Sequence, residues 1–284
     1  MIDMSNVQTI TRKELRDALR NRWFLLFTIT FGGLALGLSA LAQPDISQLR
    51  LSGYGRTTAS LINLVLLFIP LIGLTMGASN IAGERETGAL DYFLSQPVTR
   101  SEVLLGKYLG LSAALTASLT LGFGVAGIVL AFQGQTTDGG GYLLTVVIAC
   151  MLAMSMISLG FLVSAMTYKV ATALGTALFL WLLLVFVGDL GIMGSAVAMK
   201  LPMATVFFLT VLNPLQLFRI ASILVIQADL EVLGPVGLYA TDQFGDNLLP
   251  ILLLGLLIWI IIPLTCALLW FSHEKRISFS FFNR

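Results

Sequence analysis

The chain alternates long apolar runs with short polar connections. Six of these runs are at least twenty residues long, contain a single charged residue in total, and cover residues 23–42, 61–82, 108–132, 142–166, 170–193 and 248–271. A helix needs about 20 apolar residues to cross a hydrocarbon layer of about 30 Å. Lipid offers the backbone no hydrogen-bond partners, so such runs must be helical. The pattern predicts an all-α integral membrane protein with six transmembrane helices.

The composition agrees with this fold class. Hydrophobic residues make up 57% of the chain and charged residues 11%, whereas soluble domains contain about 45–50% and about 25%. No linker or change of composition divides the sequence, so we expect residues 1–284 to form one domain surrounded by the lipid bilayer. The net charge of +1 does not indicate a nucleic-acid partner.

The basic residues of the connections are distributed unequally between the two sides of the membrane. If the amino terminus is cytoplasmic, twelve lie on that side: Arg12, Lys13, Arg16, Arg20, Arg22, Arg85, Arg100, Lys107, Lys169, Lys275, Arg276 and Arg284. The four on the other side are Arg50, Arg56, Lys200 and Arg219. Because Lys and Arg are enriched in cytoplasmic connections, we predict that both termini are cytoplasmic.

The amino-terminal segment, residues 5–22, places apolar residues near helical spacing among basic ones. This pattern predicts an amphipathic helix at the cytoplasmic membrane interface, with a fully solvated helix as the alternative. The following run ends in Ala40-Leu41-Ala42, a small-residue pattern that also precedes signal cleavage sites. The run is longer than the core of a signal peptide, which is about 7–15 residues. We therefore expect an uncleaved anchor.

The long connection between the fifth and sixth spans, residues 194–247, contains two shorter apolar stretches at 201–212 and 215–228. Asn213-Pro214 separates them, and proline breaks or kinks a helix. We predict two short helices that dip into the outer leaflet or lie on it. The alternative, a seventh span, would place Arg219 in the membrane and the carboxyl terminus outside.

The residues needed for common catalytic sites are missing. The single histidine, His273, lies in the predicted cytoplasmic tail, which leaves a Ser/His nucleophile without a base and haem without a histidine ligand. The nearest approach to a phosphate-binding loop, SEVLLGKY, lacks the first glycine and the final Ser/Thr. We expect no catalytic residue and no cofactor bound by this chain.

Two features of the spans admit a functional interpretation and a structural one. Cys150, Met151 and Met154 share a helix face, and soft sulfur ligands suit Cu(I), although methionine also fills gaps between helices. Asp189 is the acidic residue within a predicted span. It would either take part in a cation path through the membrane or be an interfacial acid near the outer surface. Glycine pairs 33/37 and 73/77 have the spacing that permits close helix approach.

The segment between the second and third spans is unusually charged. Glu84, Arg85 and Glu86 come directly after the second span, and the apolar residues that follow recur at i, i+3 and i+4 until Pro97. Thr99-Arg100-Ser101-Glu102 has the form of a capping box, which predicts a new helix leading into the third span. We predict a short cytoplasmic amphipathic helix suited to docking in a groove on another protein.

Two stretches resemble a known family. ITRKELRDALRNRWFLL resembles the amino-terminal elbow helix of type-2 ABC exporter permeases, and AGERETGALDYFLSQPVTRSEVLLGKYLG is similar to their first coupling helix with its flanks. The resemblance implies a homodimer in the bacterial inner membrane, with each copy docked on a separate cytoplasmic ATPase. ATP and Mg would bind to that ATPase, so this chain would contribute no enzymatic activity of its own.

The resemblance also implies roles for individual residues. Glu84 and Glu86 would be hinge or docking acids, and Leu90, Phe93 and Leu94 would fill a groove on the ATPase. The complete set of expected ATPase-coupling residues is Glu84, Arg85, Glu86, Gly88, Leu90, Asp91, Phe93, Leu94, Pro97 and Arg100.

Within that family, the sequence looks most similar to the permeases that act in maturation of the copper enzyme nitrous oxide reductase. This similarity implies a periplasmic partner protein and a role in copper-site assembly. Export of another cargo (a lipid, a drug or a sulfur species), purely mechanical work on the partner, and a non-transporting membrane anchor are the alternatives.

Overall fold

The computed structural model describes residues 3–41, 53–132, 139–198, 202–226 and 235–281, and these residues are almost entirely helical with no strand among them. The eleven α-helices in these ranges are α1 (Met4–Arg20), α2 (Arg22–Leu41), α3 (Gly53–Glu86), α4 (Ala89–Leu94), α5 (Arg100–Phe132), α6 (Gly139–Met166), α7 (Val170–Ala198), α8 (Met203–Val211), α9 (Pro214–Val225), α10 (Pro235–Phe244) and α11 (Leu248–Phe281). A 3₁₀ turn, Gly245–Asn247, joins α10 to α11. The predicted all-α fold class is confirmed.

The predicted spans fall on α2, α3, α5, α6, α7 and α11, with residue 42 outside the described residues. Within the described ranges, α3, α5, α6, α7 and α11 are each long and apolar enough to cross a membrane as single helices. The pairs α1–α2 and α8–α9 also pass this test together, with bends of 66° and 106°. The described residues therefore contain five to seven candidate spans.

The amphipathic helix predicted at residues 5–22 is α1, which ends one residue before the break at Asn21. Its apolar side packs against α5 rather than facing lipid alone: Val7, Ile10 and Ala18 are buried. The close approach depends on Gly110, because a Cβ there would lie 2.6 Å from the Cβ of Glu14. The amino-terminal helix is thus part of the bundle.

Helices α3 and α6 form the centre of the bundle. A Cβ on Gly77 would lie 2.8 Å from the carbonyl oxygen of Ile157, and Gly160 approaches α3 equally closely from the other side. The close packing predicted for the glycine pair 73/77 is therefore observed. Around Gly33 and Gly37, in contrast, a Cβ would meet no described atom within 4 Å, so that predicted pair makes no close contact with the part of the chain that the structure describes.

The helix break predicted at Asn213-Pro214 separates α8 from α9. The Asn213 side chain accepts a hydrogen bond from the backbone N–H of Leu215, and Pro214 occupies the first position of α9. The Asn213 amide also donates to the carbonyl oxygen of Leu184 at 2.6 Å, which attaches the elbow to α7. Residues 227 and 228 of the predicted second stretch lie outside the described residues.

Candidate functional site

The charged end of α3 contacts α5, α6, α7 and α11 directly, and α1 through Lys107, just before the chain enters α4. Glu84 forms an ion pair with Lys107 of α5, with 2.7 Å between carboxylate oxygen and Nζ. Lys107 also pairs with Glu14 of α1 at 3.1 Å. We call Glu14, Glu84 and Lys107 the charge cluster. It joins α1, α3 and α5.

Lys107 is almost completely enclosed, with only 2% of its surface exposed. A buried charge is tolerated only when it is paired and hydrogen-bonded. Here the two carboxylates supply the pairing, and the Asn80 side chain donates a further hydrogen bond of 2.6 Å to Glu14. The cluster therefore holds α1 against the bundle through one ammonium group shared between two helices.

Arg85 connects the end of α3 to α6 and α11. Its guanidinium donates to the carbonyl oxygens of Ala165 and Thr167 at 3.0 and 2.8 Å, where the carboxyl end of α6 leaves carbonyls without helical partners. The same guanidinium lies 5.0 Å from the ring centre of Tyr168 and 5.4 Å from that of Phe271 on α11. Such cation–π contacts add to the attraction.

Glu86 completes the set of contacts. Its carboxylate accepts a hydrogen bond of 2.7 Å from the backbone N–H of Val170, the first residue of α7. A negative charge at a helix amino terminus is stabilised by the helix dipole. The three consecutive charges thus contact different neighbours, and Glu86 provides the contact with α7.

The short helix α4 is the predicted coupling helix. Gly88 precedes it with φ of +74°, a left-handed conformation that favours glycine. Leu90 is buried against this chain, and Leu94 is half-buried against the same core. The Phe93 ring lies beside two cations, 4.6 Å from Lys13 and 6.0 Å from Lys107. The apolar stripe expected to fill a partner's groove packs against the chain's own helices in this structure.

The outward side of α4 and of the following turn is polar and aromatic. Tyr92 is 71% exposed, and Asp91, Gln96 and Pro97 are also exposed. Between α1 and this turn lies a cavity of about 310 Å³, lined by Asn6, Thr9, Ile10, Lys13, Tyr92, Phe93, Gln96, Pro97 and Val98. This side of α4 is the one that another protein can reach.

The predicted capping box is present at the start of α5. Glu102 accepts from the backbone N–H of Thr99 at 2.9 Å, and the Thr99 hydroxyl accepts from the N–H of Glu102 at 3.3 Å. Glu102 also accepts from the N–H of Asp3 at 2.7 Å. These backbone donors lower the pKa of Glu102, which lies ahead of the span predicted from residue 108, to about 2. Through its hydrogen bond with the N–H of Asp3, the Glu102 carboxylate also fixes the start of α1.

Arg100, expected to be an ATPase-coupling residue, contacts α11. It donates to the carbonyl oxygen of Phe271 at 3.3 Å, and its guanidinium lies 5.3 Å from the Phe271 ring centre. Phe271 is fully buried. Two arginines, Arg85 and Arg100, therefore hold the same ring of α11.

The sulfur residues considered as ligands are half-buried on α6. Cys150 and Met151 pack against the core, and the Met154 carbonyl oxygen accepts from the Tyr108 hydroxyl at 3.3 Å. No group of three or more His, Cys, Asp or Glu residues that could hold a metal occurs in the described part of the chain. The Asp189 side chain lies outside the described residues.

Sequence reasoning did not assign a role to Glu14, Asn80 or Lys107, although a signal was present. Glu14 continues the spacing of the buried α1 residues at positions 7, 10 and 18. A carboxylate on an apolar helix face requires a buried partner. The sequence does not reveal that partner, because Lys107 is 93 residues away along the chain.

Comparison with known proteins places this arrangement in a family. The model of the ABC-2 family transporter proteins matches residues 8–276. The chain belongs to the ABC-2 transporter family. A protein of Stutzerimonas stutzeri named "Probable ABC transporter permease protein NosY" is 30% identical over 287 residues, which cover 99% of both chains. A protein of the same name from Pseudomonas aeruginosa is 31% identical over 226 residues, covering 78% of this chain and 82% of the relative.

The ABC-2 match extends from α1 into α11, so it includes the charge cluster and α4. The resemblance to type-2 ABC exporter permeases is thereby confirmed. This ABC-2 protein is a multi-pass permease subunit of an ABC transporter, and its family implies a partner ATPase.

Proposed function

We propose that this permease couples ATP hydrolysis by a separate cytoplasmic ATPase to a rearrangement of its membrane helices. The observation that carries the proposal is the position of Glu84, Arg85 and Glu86. They immediately precede α4 and contact α1, α5, α6, α7 and α11 directly or through Lys107. A displacement of α4 would therefore reach most of the bundle within a few residues.

The ATPase would contact the outward side of α4. Asp91, Tyr92, Gln96 and Pro97 are exposed there, and the cavity beside them offers room for a partner side chain. Leu90, Phe93 and Leu94 would have a different role from the one expected from the sequence, because they pack inward and join α4 to its own bundle. Gly88 would give the turn before α4 its shape.

ATP and Mg would act through the partner chain. A ligand shifts a conformational equilibrium only by its different affinity for the two states, so the closed ATPase must favour one position of α4. The contacts of the charged α3 end would then move α6 and α7 with it. No residue of the permease takes part in the hydrolysis itself in this scheme.

We further propose six membrane spans with both termini cytoplasmic. Nine residues of α8 and twelve of α9 correspond to about 14 and 18 Å at about 1.5 Å per residue. With a bend of 106°, the far ends of the pair lie about 19 Å apart, which is short of the about 30 Å of a hydrocarbon core. This length supports a re-entrant pair on the outer side.

The cargo and the remaining partners are proposed from similarity. The likeness to the NosY permeases over nearly the full chain supports a role in copper-site assembly of nitrous oxide reductase, with a periplasmic partner protein and a second copy of this chain. In this proposal copper is a cargo or a product of the work and is not a resident cofactor.

Capture of the cognate ATPase from solution tests the docking surface. We expect Tyr92→Glu to abolish capture, because it places a charge at the centre of the exposed face, while Tyr92→Phe retains it. Gln8→Glu, which adds a charge on the exposed side of α1, is the matched control and should bind normally. Normal capture by the folded Tyr92→Glu variant would show that the ATPase binds elsewhere.

A further inference from the structure

The face of α1 opposite to its buried side carries a row of arginines. Arg12, Arg16 and Arg20 are four residues apart, so they share one face of the helix. All three are exposed, whereas Val7 and Glu14 on the other side are buried against the bundle. Within the described ranges, no ion pair involves any of the three arginines. The row is therefore a positive surface that is available to a partner with negative charge.

The row approaches the membrane at its carboxyl end. The N–H of Asp3 donates to Glu102 near the start of α5. Eleven residues later on α1, Glu14 meets α5 at Gly110. The two helices thus advance in the same direction, and α5 continues into a candidate membrane span. The last arginine of the row therefore lies nearest to the hydrocarbon, and the first is eight residues earlier, about 12 Å along α1.

The start of α2 places apolar side chains directly beyond this end of the row. Arg22 is the first residue of α2 and is exposed. Leu26 and Ile29 follow it at i+4 and i+7 on the same face and are 57% and 69% exposed. Because α1 and α2 together are long and apolar enough for a bent span, this face of α2 lies against lipid. Positive charge is thus followed by exposed apolar surface along the path into the membrane.

An anionic phospholipid has the chemistry that matches both parts of this surface. Arginine keeps its charge at all ordinary pH values and offers several N–H donors to phosphate oxygens. A zwitterionic headgroup would bring its own cation next to the arginines, and like charges repel. A soluble anion would leave the apolar face of α2 unused. The order of charge and apolar surface also agrees with the order of headgroup and acyl chain in a bilayer.

We propose that the end of α1 and the start of α2 bind one anionic phospholipid. Its phosphate group lies among Arg16, Arg20 and Arg22, which we call the arginine patch, and its acyl chains extend along Leu26 and Ile29. The proposed topology places this lipid in the cytoplasmic leaflet, where anionic headgroups attract basic residues next to a span. The cavity beside α4 involves α1 only in its first ten residues, so the lipid site is separate from the proposed ATPase contact.

Photolabelling of the permease–ATPase complex in nanodiscs tests this site. Two lipid probes carry a diazirine at the same position near the start of one acyl chain, and they differ only in headgroup: phosphatidylglycerol or phosphatidylcholine. We expect the phosphatidylglycerol probe to label the first turns of α2 at least about fivefold more strongly, the factor that corresponds to one basic residue near an anionic surface. Glycerol 3-phosphate should not compete, because it has no acyl chain.

Two single substitutions on the same face of α1 separate the patch from the total charge. Arg20→Gln should lower phosphatidylglycerol labelling about two- to fivefold. Arg12→Gln removes the same charge from an exposed position farther from the membrane, beyond about one Debye length from the patch, and should leave labelling unchanged. Circular dichroism of both variants checks that they are folded.

Equal labelling by the two probes in the unmodified protein would overturn the proposal, and so would equal losses in Arg20→Gln and Arg12→Gln. Competition by glycerol 3-phosphate would show that the patch binds a free phosphate rather than a lipid. Release of the ATPase from the Arg20→Gln complex, with lipid labelling unchanged, would assign the patch to the ATPase instead.

Discussion

At the scale of single residues, Lys107 of α5 is the buried cation of the charge cluster. Its ammonium lies 2.7 Å from Glu84 and 3.1 Å from Glu14, and its surface is 2% exposed. Removing one partner of a buried ion pair leaves a charge without compensation, which costs about 3–5 kcal/mol. Stability therefore depends on the charge balance of the cluster as much as on its packing.

We expect Lys107→Met to lower the free energy of unfolding by about 3–5 kcal/mol, because it leaves two carboxylates facing each other away from water. Adding Glu14→Gln and Glu84→Gln should recover part of that loss. Circular dichroism is used to monitor the unfolding of each variant in mixed micelles. Asp17→Asn is the control, since it breaks the exposed Lys13–Asp17 pair, and such pairs contribute about 0–1 kcal/mol. If Lys107→Met and Asp17→Asn lowered the free energy of unfolding equally, the buried pairing of Lys107 would be contradicted.

The sequence predicted some of these residues well and others not at all. The capping box at Thr99 and Glu102 could be found because its two partners are three residues apart. The contacts of Arg85 with Ala165 and Thr167 could not, because they join residues about 80 positions apart along the chain. Local spacing predicts local bonds, whereas pairs between helices depend on how the helices pack.

At the scale of secondary-structure elements, helical periodicity correctly grouped Leu90, Phe93 and Leu94 on one face of α4. It did not establish what that face contacts. An apolar stripe is buried either by a partner or by the chain's own bundle, and here α4 packs back onto α1, α3 and α5. The same reasoning applies to α1, whose apolar side contacts α5.

The contact between α3 and α6 gives a prediction for an element pair. Gly77→Ala places a methyl group 2.8 Å from the Ile157 carbonyl oxygen, and such overpacking typically costs about 1–3 kcal/mol. We expect Gly77→Ala to lower the free energy of unfolding by that amount. Gly33→Ala has open space around it among the described residues and should not lower stability, because Ala is the better helix former. An unchanged free energy of unfolding in Gly77→Ala would mean that α3 and α6 do not pack closely at this position.

At the scale of the whole molecule, the order of the spans followed from hydropathy, because each must satisfy its backbone hydrogen bonds within its own helix. The segment after α7 was harder to predict. Two short apolar stretches around Asn213-Pro214 are compatible with one broken span or with a re-entrant pair. The proposal of a re-entrant pair rests on the 106° bend between α8 and α9.

In the proposed function, nucleotide binding by the ATPase moves the bundle through the charged α3 end. The most direct measurement is double electron–electron resonance in the permease–ATPase complex. Spin labels are placed at the exposed positions Gln8 on α1 and Thr172 on α7 in a background without Cys150 and Cys266. We predict that ATP changes the distance distribution, and that combining Glu84→Gln with Lys107→Met removes the change while the ATPase stays bound. A nucleotide-dependent change that persists unaltered in that variant would contradict the claim.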